Sequence, residues 1–201
     1  MPDNKPMSTI GFKSVVIAPI EKDDDIETTY GAVVPLTGAV DASVTPQNTD
    51  ADVQYADDGE YDAVLPDPEL EFRLKMIDIP LDKQALLLSN RIDQNGVLIR
   101  GDKDKPGYFA VGFASEKADH TMRYVWLYKV RATPITENYA TKEGKNVTRQ
   151  VHEINFAAIK RTSDGEYQAV ADEGMNGFTA EKGKTFLTRV YAPSFAAGGT
   201  V

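Results

Sequence analysis

Residues 69–76, ELEFRLKM, alternate Leu70, Phe72, Leu74 and Met76 with Glu69, Glu71, Arg73 and Lys75. A period of two puts every apolar group on one face of an extended strand and every charge on the other, which a helix of 3.6 residues per turn does not do. The pattern predicts a half-buried antiparallel strand. Similar alternation returns at 108–113, with Phe109, Val111 and Phe113 on one side, and at 123–130, with Tyr124, Trp126, Tyr128 and Val130 on one side. The chain is therefore expected to be mainly β.

Other elements follow from turn and breaker residues. A first strand is predicted at 11–20 and an acidic loop at 21–25 (EKDDD), with a second, interrupted strand at 32–43. Residues 45–68 carry two Gly/Pro/Asn/Asp clusters around a short extended piece at 52–55. Long connections without a core pattern are usually binding elements or disordered, so this loop is the first place to look for function. One helix is expected at about 81–89: Pro80 suits the first helical position and Asp82 favours the positive end of the dipole. Leu81, Ala85 and Leu88 share a face, and the Leu86 to Leu88 run implies burial against a sheet, as a lid on a barrel. Asn95-Gly96 signals a turn, and Asp164-Gly165 signals a hairpin between strands at 147–160 and 167–171. TFLTRVYA, 185–192, reads as a closing strand. The expected organisation is a flexible arm at 1–10, a single β domain at 11–192 and a tail at 193–201, with no solenoid repeat.

A chain of 201 residues suits one substantial domain, which at this size buries roughly 70% of its unfolded surface. No apolar run approaches the roughly 20 residues of a membrane-spanning helix, and no secretory pattern opens the chain, so folding in a cytoplasm is expected. The absence of cysteine removes disulfides, thiolate nucleophiles and cysteine-type zinc sites. A net charge of −9 opposes tight phosphate binding, which depends on Lys and Arg displacing counterions. The KDK at 103–105 and KGK at 182–184 read as solvated turns.

Candidate chemistry is thin. His120 and His152 form neither an HxH nor an HxxxH pair, and no GxSxG, GxxxxGK[ST] or GxGxxG motif occurs. No catalytic residue, cofactor or metal is assigned. Asp23 to Asp25 and Asp57-Asp58 are adjacent acids of a kind that acid/base or calcium sites use, yet they lack calcium-loop spacing and read as solvated. Tyr124, Trp126 and Tyr128 form a stacking platform for bases or sugars if exposed; the simpler account is a core face or one covered by a neighbouring subunit.

Several blocks together resemble the major tail proteins of long-tailed bacteriophages, in particular the phi13-type tail tube family. They are YADDGEY at 55–61, ELEFRLKMIDIPLDKQALLL at 69–88, GYFAVGF at 107–113, RYVWLYKV at 123–130 and FAAIKRTSDGEY at 156–167. Their order agrees with the family from about residue 11 to 171, while HEINFAA at 152–158 departs from the threonine-rich segment expected there. The tail after Tyr191 matches nothing in the family. The resemblance implies a tail tube fold, two packed antiparallel sheets (sandwich or barrel) with a flanking helix and a long stacking loop. It further implies a structural virion protein of a tail, assembled in a host cytoplasm as homohexameric rings stacked into a tube. Such a tube encloses the tape measure protein, joins tail terminator and distal tail proteins, and conducts DNA without specific binding during ejection.

Under that resemblance, 45–68 becomes the inter-ring loop, with Tyr55 and Tyr61 as anchors and Asp57 and Asp58 as polar contacts or turn formers. An acidic lumen lets DNA slide, and Glu69 and Glu71 are its candidate lining. The end of the chain at residue 201 suggests a plain tube without surface decoration. Two alternatives belong to other classes: a carbohydrate- or cell-surface-binding sandwich using the Tyr124, Trp126, Tyr128 row, and a small hydrolase using the paired acids.

Overall fold

The computed structural model describes residues 6–47, 52–56, 59–64, 69–139, 141 and 150–195. In chain order the elements are β1 (Thr9–Asp23), β2 (Thr28–Tyr30), β3 (Val34–Leu36), β4 (Ala39–Gln47), β5 (Asp52–Ala56), β6 (Gly59–Val64) and β7 (Glu69–Met76). There follow α1 (Leu81–Leu88), β8 (Arg91–Ile92), β9 (Leu98–Ile99), β10 (Phe109–Lys117), β11 (Met122–Ala132), β12 (His152–Ile159), β13 (Gln168–Asp172) and α2 (Ala180–Phe186). The fold is mainly β, and every strand pairing is antiparallel.

Nine strands make one sheet in the order β2-β1-β10-β11-β12-β7-β4, with β3 also on β1 and β13 also on β11. The sheet folds over itself. Phe72 on β7 stacks on Phe113 of β10 with centroids 5.5 Å apart and planes 7° apart, although two strands separate β7 from β10 in the sheet order. The enclosed core takes Val15 and Ile17 from β1, the four apolar residues of β7, Phe109, Val111 and Phe113 from β10, and Ile154 and Phe156 from β12. The alternation in β7 does what its period requires: Leu70, Phe72, Leu74 and Met76 are buried and the charged residues face outward.

Strand β10 is buried on both faces, and its sequence explains how. Large residues point into the core, while Ala110, Gly112 and Ala114 point the other way, with Gly112 beneath the indole of Trp126. A Cβ on Gly112 would stand 2.9 Å from Trp126 ring atoms, so only glycine lets the indole lie across the strand. This outer side forms a second core, with Ala18, Tyr124, Trp126 and Tyr128, closed by Phe186 of α2.

Several sequence expectations need correction. The 185–192 segment is not a strand: α2 ends at Phe186 and turns follow. Helix α2 is a second helix, with Thr179 at its N-cap accepting a hydrogen bond from the Lys182 N–H. The Asp164-Gly165 turn makes no hairpin. β12 and β13 instead lie end to end along one edge of β11, Ala158 opposite Val130 and Gln168 opposite Leu127, so 160–167 loops out and the chain resumes its direction. The acidic run 21–25 is only partly loop, because β1 continues to Asp23. Helix α1 begins after Pro80, which is its N-cap, and buries Gln84, Leu87 and Leu88 while Leu81 stays 49% exposed, turning the buried stripe from the expected one. Among the described residues, no helix is long and apolar enough to cross a membrane.

Candidate assembly surfaces

Among the described residues, strands β5 and β6 form a two-stranded sheet of their own and join neither the main sheet nor the β8–β9 pair. The sequence had shown only the first half of this hairpin. Its register pairs Asp52 with Val64, Val53 with Ala63, Gln54 with Asp62, Tyr55 with Glu60 and Ala56 with Gly59. The register shift between Gln54 and Tyr55 leaves Tyr61 without a residue opposite it, an irregularity of the kind that bends a strand. Asp57 and Asp58, between Ala56 and Gly59 in sequence, lie outside the described residues.

Glu69 and Glu71 sit on the outward face of β7, on a three-strand surface shared with β4 and β12. Glu71 accepts a hydrogen bond from Gln47 Nε2 at 3.2 Å, and Arg73 lies 3.9 Å from Glu71 and 3.4 Å from Glu153. Lys75 lies 3.8 Å from Asp41. These half-exposed pairs contribute little to stability. Their importance is the sign they leave: Asp41, Glu69, Glu71 and Glu153 outnumber Arg73 and Lys75 on this face.

The aromatic row of β11 is interior. Trp126 and Tyr128 are 0% and 1% exposed and Tyr124 is 8% exposed, all covered by the α2 side of the same chain. Trp126 Nε1 donates to the Phe186 carbonyl at 3.0 Å, and the Tyr124 hydroxyl donates to Glu173 Oε1 at 3.0 Å. Burial, with Glu173 adding to it, pushes the Tyr124 phenol up to about 12. The Arg161 guanidinium covers the Tyr128 ring at 3.8 Å. The row therefore offers no stacking platform for sugars or bases.

Two carboxylates hold the edges of the sheet: Asp172, which the sequence did not single out, and Asp23, expected to be solvated but found with a side chain only 10% exposed. Asp172 accepts from Arg123 Nε at 2.6 Å and Nη2 at 2.7 Å, and from Lys117 Nζ at 2.7 Å, so one acid ties β13 to the β10–β11 turn. The Arg123 bonds, with Lys117 adding to them against burial, hold its pKa down to about 2. Asp23 is 2.5 Å from Lys129 Nζ and accepts from Thr28 and Thr162. Burial pushes its carboxyl up, and the Lys129, Thr28 and Thr162 bonds more than offset this, leaving about 2. Neighbouring Asp24 also falls to about 2, through the Glu27 N–H, Lys22 and the Ile26 N–H. Carboxylates held ionised this firmly are unsuited to donate a proton near neutrality.

His120 is a turn residue at φ 66° whose Nδ1 is 2.9 Å from Glu116, and His152 Nε2 is 3.9 Å from Asp78. Among the described residues no group of three or more His, Cys, Asp or Glu could hold a metal ion. No protein-family model matches the chain, and no curated protein matches it.

Proposed function

We propose that this chain is a structural subunit of a phage tail tube, and that its copies close into hexameric rings which stack into a hollow conduit for DNA. The observation that carries the reading is the β5–β6 hairpin, which among the described residues forms a two-stranded sheet separate from the nine-stranded one. In a ring stack such a hairpin reaches a surface on the next subunit, where strand pairing and side-chain contacts add to its stability. Ring closure is a heterologous contact whose rotation closes, and stacking is an open repeat along the axis.

The acid-rich face of β4, β7 and β12 supplies the second part of the reading. A wall with excess carboxylates repels phosphate within a Debye length of roughly 10 Å, so DNA passes without adhering. Glu69 and Glu71 belong to that wall in this reading. The tape measure protein fills the tube before ejection, the terminator and distal tail proteins cap its ends, and no catalytic step enters.

Negative-stain electron microscopy of the purified protein, alone and seeded with tail tips, tests the reading. Rings or hollow tubes of uniform width are expected. Protein that stays monomeric under both conditions contradicts it.

A further inference from the structure

Around α2 three adjoining depressions share their walls. The largest two are about 440 Å³ each: one is lined by Phe178, Lys182, Phe186, Arg189 and Tyr191, the other by Tyr30, Val33, Thr188, Arg189 and Val190. The third, about 330 Å³, runs from Phe178, Phe186 and Tyr191 to Val170, Met175 and Asp172, whose charge Lys117 and Arg123 offset. Together they make a groove from β13 across α2 to the segment after β2. Its floor is aromatic: Phe178 meets Phe186 edge-on at 5.4 Å, and Phe186 meets Tyr191 at 5.2 Å. Val170 is 55% exposed and Met175 50%. An apolar surface of this kind rimmed by polar groups marks an interaction site.

Charge narrows the choice of occupant. The chain carries −9 overall, yet residues 178–195 hold Lys182, Lys184 and Arg189 against Glu181 alone. Arg189 lines two of the depressions and has no hydrogen-bond or ion-pair partner among the described residues. Residues 52–64 are the complement: Asp52, Asp57, Asp58, Glu60 and Asp62 with no Lys or Arg, together with Tyr55 and Tyr61. Aromatic residues and arginine dominate the energetic centres of interfaces, and opposite charge fixes register and raises the encounter rate.

We infer that the groove between β13 and α2 receives the acidic, tyrosine-bearing β5–β6 hairpin of a second copy of this chain. The inference rests on the assembly reading above and names the surface on which the hairpin docks. Arg189 and Lys182 meet the hairpin's acids, and a tyrosine enters against Phe178, Phe186 and Tyr191. Assembly is then slowed by salt, as an association steered by charge is.

The test uses the full chain with a photo-crosslinking benzoyl-phenylalanine in place of Tyr61, together with the Arg189→Glu variant and an Asp57→Lys/Asp58→Lys variant. Irradiated polymers are expected to join position 61 to residues 178–192 of a neighbouring copy. Arg189→Glu is expected to slow assembly by about tenfold or more while its unfolding midpoint stays at the wild-type value, and combining both charge reversals in one chain restores the rate. Crosslinks that fall elsewhere in intact polymers, or Arg189→Glu polymers formed at the wild-type rate, overturn the groove assignment and leave the assembly reading standing. A wild-type chain that stays monomeric, including one that retains an acidic peptide or an oligonucleotide in the groove, overturns both.

Discussion

Asp172 concentrates three charge-assisted hydrogen bonds on one carboxylate that is 12% exposed, which makes it, like Asp23, sensitive to acid. Its pKa is about 2 in the fold against an ordinary 3.8. A depressed carboxylate contributes stability that is present above its unfolded pKa and lost as pH falls through the folded one, here between about pH 3.8 and 2. The contribution is about 2 kcal/mol. Asp172→Asn is expected to cost about 3 kcal/mol at neutral pH, because Lys117 and Arg123 lose their partner, and to flatten the acid limb of stability measured by urea titration. Gly183 is the other decisive single position. A Cβ there would lie 2.6 Å from the Tyr124 hydroxyl and 2.7 Å from its ring, so Gly183→Ala should destabilise by about 1–3 kcal/mol and shift Trp126 fluorescence as α2 lifts.

Gly183 also explains at the level of elements why α2 was illegible. A glycine inside a seven-residue helix lowers its propensity, and the following TFLTRVYA imitates strand alternation. Only the tertiary contact with Tyr124 reveals why glycine stands there. β7 was legible because its two faces meet different media, core and solvent, so the pattern is written directly in the residues. The aromatic row was half legible: its shared face followed from alternation, but what covers it depends on a helix that the sequence disguised. The 160–167 loop-out misled for a related reason, since a turn signal is local and cannot tell whether the chain reverses or rejoins the same edge of β11. Of the candidate site, the 45–68 segment stood out by its lack of core pattern, while the groove that faces it in the proposed assembly was hidden with α2. Deleting part of residues 52–63 removes no strand of the nine-stranded sheet, so the variant should keep its circular dichroism spectrum and unfolding midpoint yet form no long polymers. Polymers of normal length from that deletion would remove the hairpin from the contact.

At the scale of the molecule, net charge and topology act together. A chain of −9 repels its copies at long range, so the proposed association needs local complementarity, for which the basic stretch around Arg189 and the acidic hairpin carry opposite signs. The acid-rich face of β4, β7 and β12 lies outside both elements, and in the proposed assembly it lines the channel. The measurement that bears most directly on this account is a cryo-electron microscopy cross-section and side view of the assembled protein. The account predicts six subunits around an open channel walled by the Glu69 and Glu71 face, with each hairpin crossing to the adjacent ring. A solid or irregular aggregate, or a tube whose hairpins stay within their own ring, would contradict it.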